Sequence, residues 1–373
     1  MSRRLALLLP LLVLGGCATL DDFLASIRKG MGSVPFEERP VEEPIAANNF
    51  VLASADQSVI GEPQVVFTRD EDTLSDLARE YGLGYDEIVI ANPDVDPWLP
   101  GGNTPVILPT QYVLPNVPRE GVVLNIATKR LFYFPKAGEG EQQQVLTYPI
   151  GIGRVGWETP LGSTKVVSKA KDPSWWVPAS VRREHAEMGD PLPAIVPPGP
   201  DNPLGTRVLK LGMPGYLIHG TNQPYGVGMR VSHGCVRLYP ENIELLYALV
   251  AVGEPVTIIN EPFQIGERDG VIYFEAHAPL KDDAVPADER LQTLLDTQVD
   301  ASGRPLNEHL KDHVRSLAEK GSGLPISIVM YDADEFTDRA RVVQNTVEID
   351  PDAPTLMEVR KMMDEVNEQK DLM

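Results

Sequence analysis

Residues 119–260 alternate apolar and polar side chains in short runs that turn residues separate. Val122, Leu124 and Ile126 lie at every second position, and the pattern repeats at Leu131 and Tyr133. A period of two predicts β-strands, here joined as a hairpin. Further strands are predicted at 143–150, 163–168, 216–219, 228–232 and 256–260, with a helix from Pro240 to about Ala251. The sequence therefore predicts a mostly antiparallel β domain with few helices.

The stretch from Tyr216 to Glu241 brings reactive residue types together. It holds Cys235, one of 2 cysteines in the chain, and the histidines His219 and His233. A thiolate is a strong nucleophile, and a neighbouring imidazole can generate it. The glycines of this stretch let backbone N–H groups approach a reacting oxygen closely. From residue types alone, other interpretations stay open: a buried apolar cysteine, a histidine that only ends a strand, or three zinc ligands.

The order of these residues is similar to the signature of a known family. IHGT is followed, after a short Gly-rich connection, by VSHGCVRL, and ETPLG lies upstream at Glu158 to Gly162. These motifs resemble those of the L,D-transpeptidases, the YkuD-type enzymes that crosslink bacterial peptidoglycan. The resemblance covers residues 119–260 and implies a YkuD-type β-sandwich as the catalytic domain.

The resemblance implies that Cys235 is the nucleophile and that His219 is its base, with the carbonyl of Gly220 orienting the imidazole. His233 is the rival base, because residues i and i−2 share one face of a strand. By resemblance we expect His233 to support the loop instead.

The remaining residues of the signature would complete the site. Backbone N–H groups of Gly234 and Cys235 are candidates for an oxyanion hole, with Ser232 in a supporting or oxyanion role. Arg237 presents a planar guanidinium that would either bind the carboxylate of the donor peptide or brace the loop.

The reaction that the resemblance implies is acyl transfer in two steps. The thiolate attacks the carbonyl of the third residue of a tetrapeptide stem, expected to be diaminopimelate, and expels D-alanine. An acceptor then takes the acyl group from the thioester. It is another stem in a crosslinking enzyme, a lysine of an envelope protein in an attachment enzyme, or water in a carboxypeptidase. No cofactor and no metal are expected.

The first residues have the pattern of a processing segment. After the basic start MSRR, residues 5–16 are an apolar run, and LGGC at 14–17 resembles a bacterial lipobox. We expect residues 1–16 to be a lipoprotein signal peptide and Cys17 to carry the lipid anchor, with a plain secretory signal as the alternative. With Ala18 rather than Asp after the cysteine, the sequence resembles lipoproteins that are released to the outer membrane. Cys235 would then be a lone thiol outside the cytoplasm. Single thiols are unusual there, so this favours a catalytic role for Cys235.

Two further segments precede the β domain. Residues 17–62, rich in Pro and Glu, are predicted to be an extended or disordered tether. Residues 63–112 have the pattern of a small βααβ unit. Its elements are a strand at Val65–Phe67, a helix after the N-cap Thr73, a helix at Tyr85–Ala91 and a strand at Val106–Leu108. The unit resembles a LysM module, which implies glycan binding by loops near 70–73 and 92–96.

The C-terminal residues 261–373 are strongly acidic. They carry 12 Lys+Arg against 25 Asp+Glu, which is −13 of the chain's net charge of −21. Such a charge argues against nucleic acid and against electrostatic binding to anionic lipid. We predict an accessory α+β region with strands at 270–276 and 325–331 and helices at 288–299, 306–320 and 354–371. His309 and His313, one helical turn apart, are expected to be surface residues.

The chain is thus predicted to be a multidomain periplasmic lipoprotein of the bacterial envelope. Its partners would be the stem peptides and glycan strands of peptidoglycan, the membrane through the lipid, and an envelope protein if that is the acceptor. Two other classes stay open. One is a glycan-binding lipoprotein whose catalytic domain has lapsed, and the other is a zinc-dependent hydrolase, which needs a fourth ligand that the motif lacks.

Overall fold

A computed structural model of the protein describes residues 34–138, 140–298, 304–328 and 335–348. The predicted signal peptide, the predicted lipidation residue Cys17 and the predicted helix at 354–371 lie outside the described residues. The chain divides into a short unit, Met1–Arg39, and a compact unit, Pro40–Met373. The described part of the short unit forms one helical turn, Phe36–Glu38. Among the described helices, none has the length and hydropathy to span a bilayer.

The strands of the compact unit are short and occur throughout the described chain. In chain order they are β1 Val41–Glu42, β2 Asn49–Val51, β3 Val59–Gly61, β4 Gln64–Phe67, β5 Pro105–Leu108, β6 Gln111–Val113, β7 Gly121–Asn125, β8 Arg130–Phe134, β9 Gln144–Pro149, β10 Ile152–Gly153, β11 Gly162–Lys171, β12 Trp175–Trp176, β13 Ile195–Val196, β14 Arg207–Leu211, β15 Leu217–His219, β16 Arg230–Ser232, β17 Val236–Arg237, β18 Pro255–Ile259, β19 Phe263–Arg268, β20 Val271–Ala276, β21 Ile326–Ser327 and β22 Arg341–Val343. The helices are α1 Leu74–Glu80, α2 Tyr85–Ala91, α3 Ala179–Glu187, α4 Pro240–Leu249, α5 Ala287–Thr297, α6 Glu308–Lys320 and α7 Glu335–Arg339.

The largest sheet has nine strands in the order β17-β15-β14-β11-β18-β7-β8-β9-β2. Its pairs are antiparallel except for β18 with β7 and β15 with β17, so the prediction of a mostly antiparallel β domain is confirmed. β11 pairs with β18 through its first half and with β14 through its second half, with a shift of register between Val166 and Ser168. Such a shift bends the strand and lets it pass from one layer to the next. One apolar core packs β7 and β8 of the first half against β14, β15 and α4.

Both faces of β7 and β8 are buried, which the alternation of the sequence did not predict. Val122 and Leu124 belong to the core just described, whereas Val123 and Phe132 pack against residues of α1 and α2. The unit at residues 63–112 therefore covers the outer face of the nine-stranded sheet.

The βααβ elements of that unit form as predicted, from β4 through α1 and α2 to β5. Thr73 caps α1, accepting a hydrogen bond from the Asp76 amide in a capping box. Two additions come from distant parts of the chain, because β22 inserts beside β4 and β1 pairs with β22. The predicted tether is wrong for residues 41–61, since β2 joins the edge of the large sheet and β3 pairs with β6.

The C-terminal region has the predicted α+β character. β19, β20 and β21 form a sheet, and α5 and α6 pack on it through a separate apolar core. On α6, His309 is exposed and His313 is partly buried. Across the described residues, no group of His, Cys, Asp and Glu is arranged to hold a metal ion.

Candidate active site

The pairing of β15 with β17 brings the two halves of the sequence signature together. Ile218 lies opposite Val236, and His219 lies opposite Arg237. Ile218 and Val236 are both fully buried in the sheet's core. Because side chains alternate along a strand, His219 and Arg237 project from the opposite face. Cys235 lies just before β17, and its thiol is close enough to feel the charge of Arg237.

His219 is buried and held in one orientation. Its side chain is 3% exposed, and its Nδ1 lies 2.6 Å from the carbonyl oxygen of Gly220. This is the contact that the resemblance implied. A carbonyl can only accept, so Nδ1 carries the proton and Nε2 keeps its lone pair. Burial, reinforced by the charge of Arg237, lowers the pKa of His219 to about 3. The imidazole is therefore neutral at physiological pH.

The Cys235 thiol is partly exposed and reduced. Its Sγ donates weakly to the carbonyl of Gly215 at 3.7 Å, and within the described chain it has no hydrogen bond to the imidazole. Burial raises the pKa of the thiol, while the Leu217 amide and the charge of Arg237 oppose that rise. The resting site thus pairs a thiol with a neutral imidazole rather than a thiolate with an imidazolium.

The residues from Ser232 to Cys235 form a tight turn. Gly234 has φ +96°, a conformation that side chains with a Cβ avoid. The Ser232 hydroxyl accepts from the Gly234 amide at 3.2 Å and donates to the Cys235 carbonyl at 2.5 Å. The Cys235 amide has no hydrogen-bond partner among the described residues. Of the two predicted oxyanion donors, the Cys235 amide is therefore available and the Gly234 amide is engaged.

His233 lies in this turn and not on a strand, so the argument that it shares a face with Cys235 is wrong. Its Nε2 lies 2.8 Å from Glu184 Oε2 and 3.2 Å from Arg154 Nη2. Its ring packs edge-on against Trp157 at 4.8 Å between centroids. Arg154 also forms an ion pair with Glu184. His233 therefore connects the cysteine turn to α3, an element that the sequence did not predict.

Comparison of the sequence with known proteins identifies the family that it resembles. The YkuD model of the L,D-transpeptidase catalytic domain matches residues 119–258. The probable L,D-transpeptidase YbiS of Escherichia coli (strain K12) is 42% identical over 239 residues, which are 63% of this chain and 76% of that protein. The probable L,D-transpeptidase YcfS of the same strain is 36% identical over 293 residues, 76% of this chain and 89% of that protein. The probable L,D-transpeptidase ErfK/SrfK of Salmonella typhimurium is 37% identical over 297 residues, 76% of this chain and 91% of that protein.

The chain belongs to the L,D-transpeptidase family. It is accordingly an enzyme of that type, from a family that acts on peptidoglycan.

The transpeptidase also contains a threonine whose role the sequence did not predict. Thr159, in the ETPLG motif, accepts from the Gly153 amide at 3.1 Å and donates to the Gly234 carbonyl at 3.0 Å. It thereby ties the cysteine turn to β10. The motif indicated this position, but only the fold shows which groups the hydroxyl joins.

Arg237 of the transpeptidase faces the site with its side chain unpaired. Its Nε is buried without a hydrogen-bond partner, and the guanidinium forms no ion pair with any described residue. Burial lowers the pKa of Arg237, against the opposing effects of Cys235 and Tyr225. A bracing role would require partners within the loop. An unpaired guanidinium, with its N–H donors in one plane, is instead suited to binding a carboxylate supplied by a ligand.

Proposed function

We propose that Cys235 is the nucleophile of a peptidoglycan L,D-transpeptidase and that His219 is its base. The observation that carries the proposal is the β15–β17 pairing, which sets His219 and Arg237 side by side on the face opposite the core. A neutral imidazole with a free Nε2 lone pair, a partly exposed thiol and an unpartnered amide N–H are the groups that thiol acyl transfer needs.

In the first half-reaction, the Cys235 proton passes to Nε2 of His219 as Sγ attacks the carbonyl carbon of the third stem residue. The tetrahedral oxyanion accepts a hydrogen bond from the Cys235 amide. Collapse of the adduct breaks the bond to D-alanine, whose nitrogen takes the proton back from His219. The product is a thioester on Cys235 and free D-alanine.

The imidazolium that forms in this step is stabilised by the Gly220 carbonyl, which accepts from Nδ1–H. A carbonyl is a weaker partner for an imidazolium than a carboxylate. The neutral imidazole is therefore favoured between turnovers, in keeping with the lowered pKa of His219.

In the second half-reaction an amine attacks the thioester and His219 takes one proton from it; the C–S bond then breaks and His219 passes that proton to Sγ, which leaves as the thiol. We propose that the amine belongs to another stem or to an envelope protein. Arg237 binds the carboxylate of the donor stem, because within the described chain its guanidinium has no other anion.

Mass spectrometry tests whether Cys235 is the residue that becomes acylated. A carbapenem should add its mass to the wild-type protein and to one peptide, the one that contains Cys235. Cys235→Ala should form no adduct and should release no D-alanine from tetrapeptide muropeptides. His219→Ala should slow the adduct, because the thiol then loses its base. An adduct that persists in Cys235→Ala would contradict the proposal.

We propose further that residues 63–112 bind glycan strands through their loops. Asn92 is not available for this, because its amide group bonds to Ile88 and Ile107 inside the unit. Asp70 and Asp96 are exposed on the same loops. Sedimentation of Cys235→Ala protein with isolated sacculi measures this binding without turnover, and protein that stays in the supernatant would contradict it.

We also propose that the protein is a periplasmic lipoprotein anchored through Cys17 to the outer membrane. Labelling with radioactive palmitate, followed by membrane fractionation, tests this. The label should be absent in Cys17→Ser, and an unlabelled wild-type protein would overturn the proposal.

A further inference from the structure

The acidic C-terminal region touches the catalytic part of the molecule at Arg230. This region lies outside the catalytic-domain match at residues 119–258. Asp282 and Arg230 form a bidentate ion pair, with both N–O distances 2.8 Å. Only 21% and 18% of the two side chains is exposed. The hydrogen bonds from Arg230 lower the pKa of Asp282, so the pair stays charged at neutral pH.

Arg230 in turn joins two strands beneath the cysteine turn. It lies on β16, which ends at Ser232, the first residue of the cysteine turn. Its Nε donates to the Gly153 carbonyl of β10 at 3.1 Å. β10 and β16 pair in parallel, with Ile152 opposite Arg230 and Gly153 opposite Ser232. One planar guanidinium, oriented by two bonds to Asp282, therefore fixes the position of both strands.

The contacts continue from Gly153 to the residue before Cys235. The Gly153 amide donates to Thr159, and the Thr159 hydroxyl donates to the Gly234 carbonyl. A Cβ at Gly153 would lie 1.9 Å from the Trp157 carbonyl and 3.0 Å from the Gly234 Cα. There is thus no space between β10 and the turn in which a displacement of β10 could be absorbed.

We propose that Asp282 is a positioning residue for the acylation step. It orients Arg230, which holds β10 and β16, and through them the turn that carries the Cys235 thiol and amide. The inference rests on the proposed role of Cys235. It assigns the acidic region a part in catalysis: one of its carboxylates sets the geometry of the active site without touching substrate.

The test compares Asp282→Asn with Asp282→Glu in the full-length protein. Asp282→Asn keeps the size of the side chain and removes the charge, and it should lower the rate constant of carbapenem acylation at Cys235 by about tenfold or more. Asp282→Glu keeps a carboxylate and should recover most of that loss. A rate constant for Asp282→Asn within about twofold of wild type overturns the proposal.

A second readout separates positioning from simple stability. The Leu217 amide and the charge of Arg237 stabilise the thiolate only while the turn is held in place. In Asp282→Asn the alkylation of Cys235 by iodoacetamide should therefore shift to higher pH. A lower melting temperature with an unchanged alkylation profile would show a merely structural role and would overturn the proposal.

Asp283→Asn is the matched control. Asp283 forms an equally short bidentate pair with Arg290, with both distances 2.8 Å, and both partners belong to the C-terminal region. This variant should lower the melting temperature and leave the alkylation profile unchanged. If Asp282→Asn does not fold, Arg230→Lys takes its place, because lysine keeps the charge opposite Asp282 but lacks the planar guanidinium that bonds to Asp282 and Gly153 together. This variant should slow acylation by about tenfold, and a rate constant within about twofold of wild type overturns the proposal.

The proposed function fails separately from this inference. If the wild-type protein forms no adduct on Cys235, the proposed nucleophile is wrong. If wild type and Asp282→Asn form that adduct at equal rates, only the role of Asp282 is wrong.

Discussion

At the scale of single residues, the two groups that we propose exchange the proton, Cys235 and His219, both rest in their neutral forms. Burial raises the pKa of Cys235 and lowers that of His219 to about 3. A reaction that starts from a neutral thiol and a neutral imidazole needs no prior ionisation. The acylation rate should therefore be flat between about pH 5 and about pH 8. His219→Ala must react through its small thiolate fraction, so its rate should rise about tenfold per pH unit.

Stopped-flow measurements of carbapenem acylation across this pH range give both profiles. A preformed thiolate–imidazolium pair would behave differently, because its rate would fall as the cysteine became protonated at acidic pH. A wild-type profile with that fall would contradict the neutral resting state.

The same histidine should make folding stability depend on pH. The pKa of His219 is lower in the folded protein than the usual value of about 6.5 in the unfolded chain. Between those two values the unfolded chain binds the extra proton. Stability is therefore full above about pH 6.5 and falls as the pH is lowered towards 3, by at most about 1.4 kcal/mol per pH unit.

Urea unfolding at pH 7, 5.5 and 4.5 measures this dependence. His219→Gln should lose less free energy of unfolding than wild type between the first and last of these values. Equal pH dependence in wild type and His219→Gln would contradict the assignment.

At the scale of elements, the cysteine turn depends on a conformation that glycine allows. Gly234 has φ +96°, and a Cβ there would lie 3.0 Å from Tyr216 Cε1. Gly253 has φ +97°, and a Cβ there would meet nothing within 4 Å. Alanine at either position should cost about 1–2 kcal/mol of backbone strain. Only Gly234→Ala should also lose acylation, by about 100-fold, because it displaces the turn.

Urea unfolding measures the cost of backbone strain in each variant. The acylation rate shows whether the cysteine turn has been displaced. Similar stability losses with very different rates are the expected result. If Gly253→Ala lost acylation as severely as Gly234→Ala, general destabilisation would explain both.

Local signals predicted the elements that carry the site, but not all of their contacts. The second helix of the small unit, Tyr85–Ala91, has the predicted bounds, because Gly84 and Asn92 mark both of its ends. The pairing of His219 with the cysteine segment followed from the signature. The insertion of β22 beside β4 had no local signal, because it joins residues more than 270 positions apart. The partners of His233 could not be predicted either, since they depend on where α3 packs.

At the scale of the whole molecule, the unit at residues 63–112 is fixed to the catalytic sheet and does not swing on a linker. Arg130 of β8 is 1% exposed and forms a bidentate pair with Glu87 of α2. The Tyr239 hydroxyl, just before α4, donates to the Leu83 carbonyl at 3.1 Å. A glycan strand bound to this unit would therefore lie at a set distance from Cys235, which limits the stems that can reach the thiol.

These parts also approach each other closely at the loop that leads from His219 to Ser232. The Tyr85 amide donates to the Val227 carbonyl at 3.1 Å. Gly228 has φ +88°, and a Cβ there would lie 2.4 Å from the Tyr85 nitrogen. Because that neighbour is backbone, it cannot rotate away, and Gly228→Ala must push α2 off the loop.

We expect Gly228→Ala to lower the free energy of unfolding by about 3 kcal/mol or more, since a backbone clash adds to the strain. Gly270→Ala, at φ +79° with nothing within 4 Å of its Cβ, should lose only about 1–2 kcal/mol. Hydrogen exchange followed by mass spectrometry should show faster exchange over residues 84–91 in Gly228→Ala alone. Since the displaced loop leads to the cysteine turn, acylation should slow in the same variant. Unchanged exchange over α2 would mean that the small unit is held by its apolar core and not by this backbone contact.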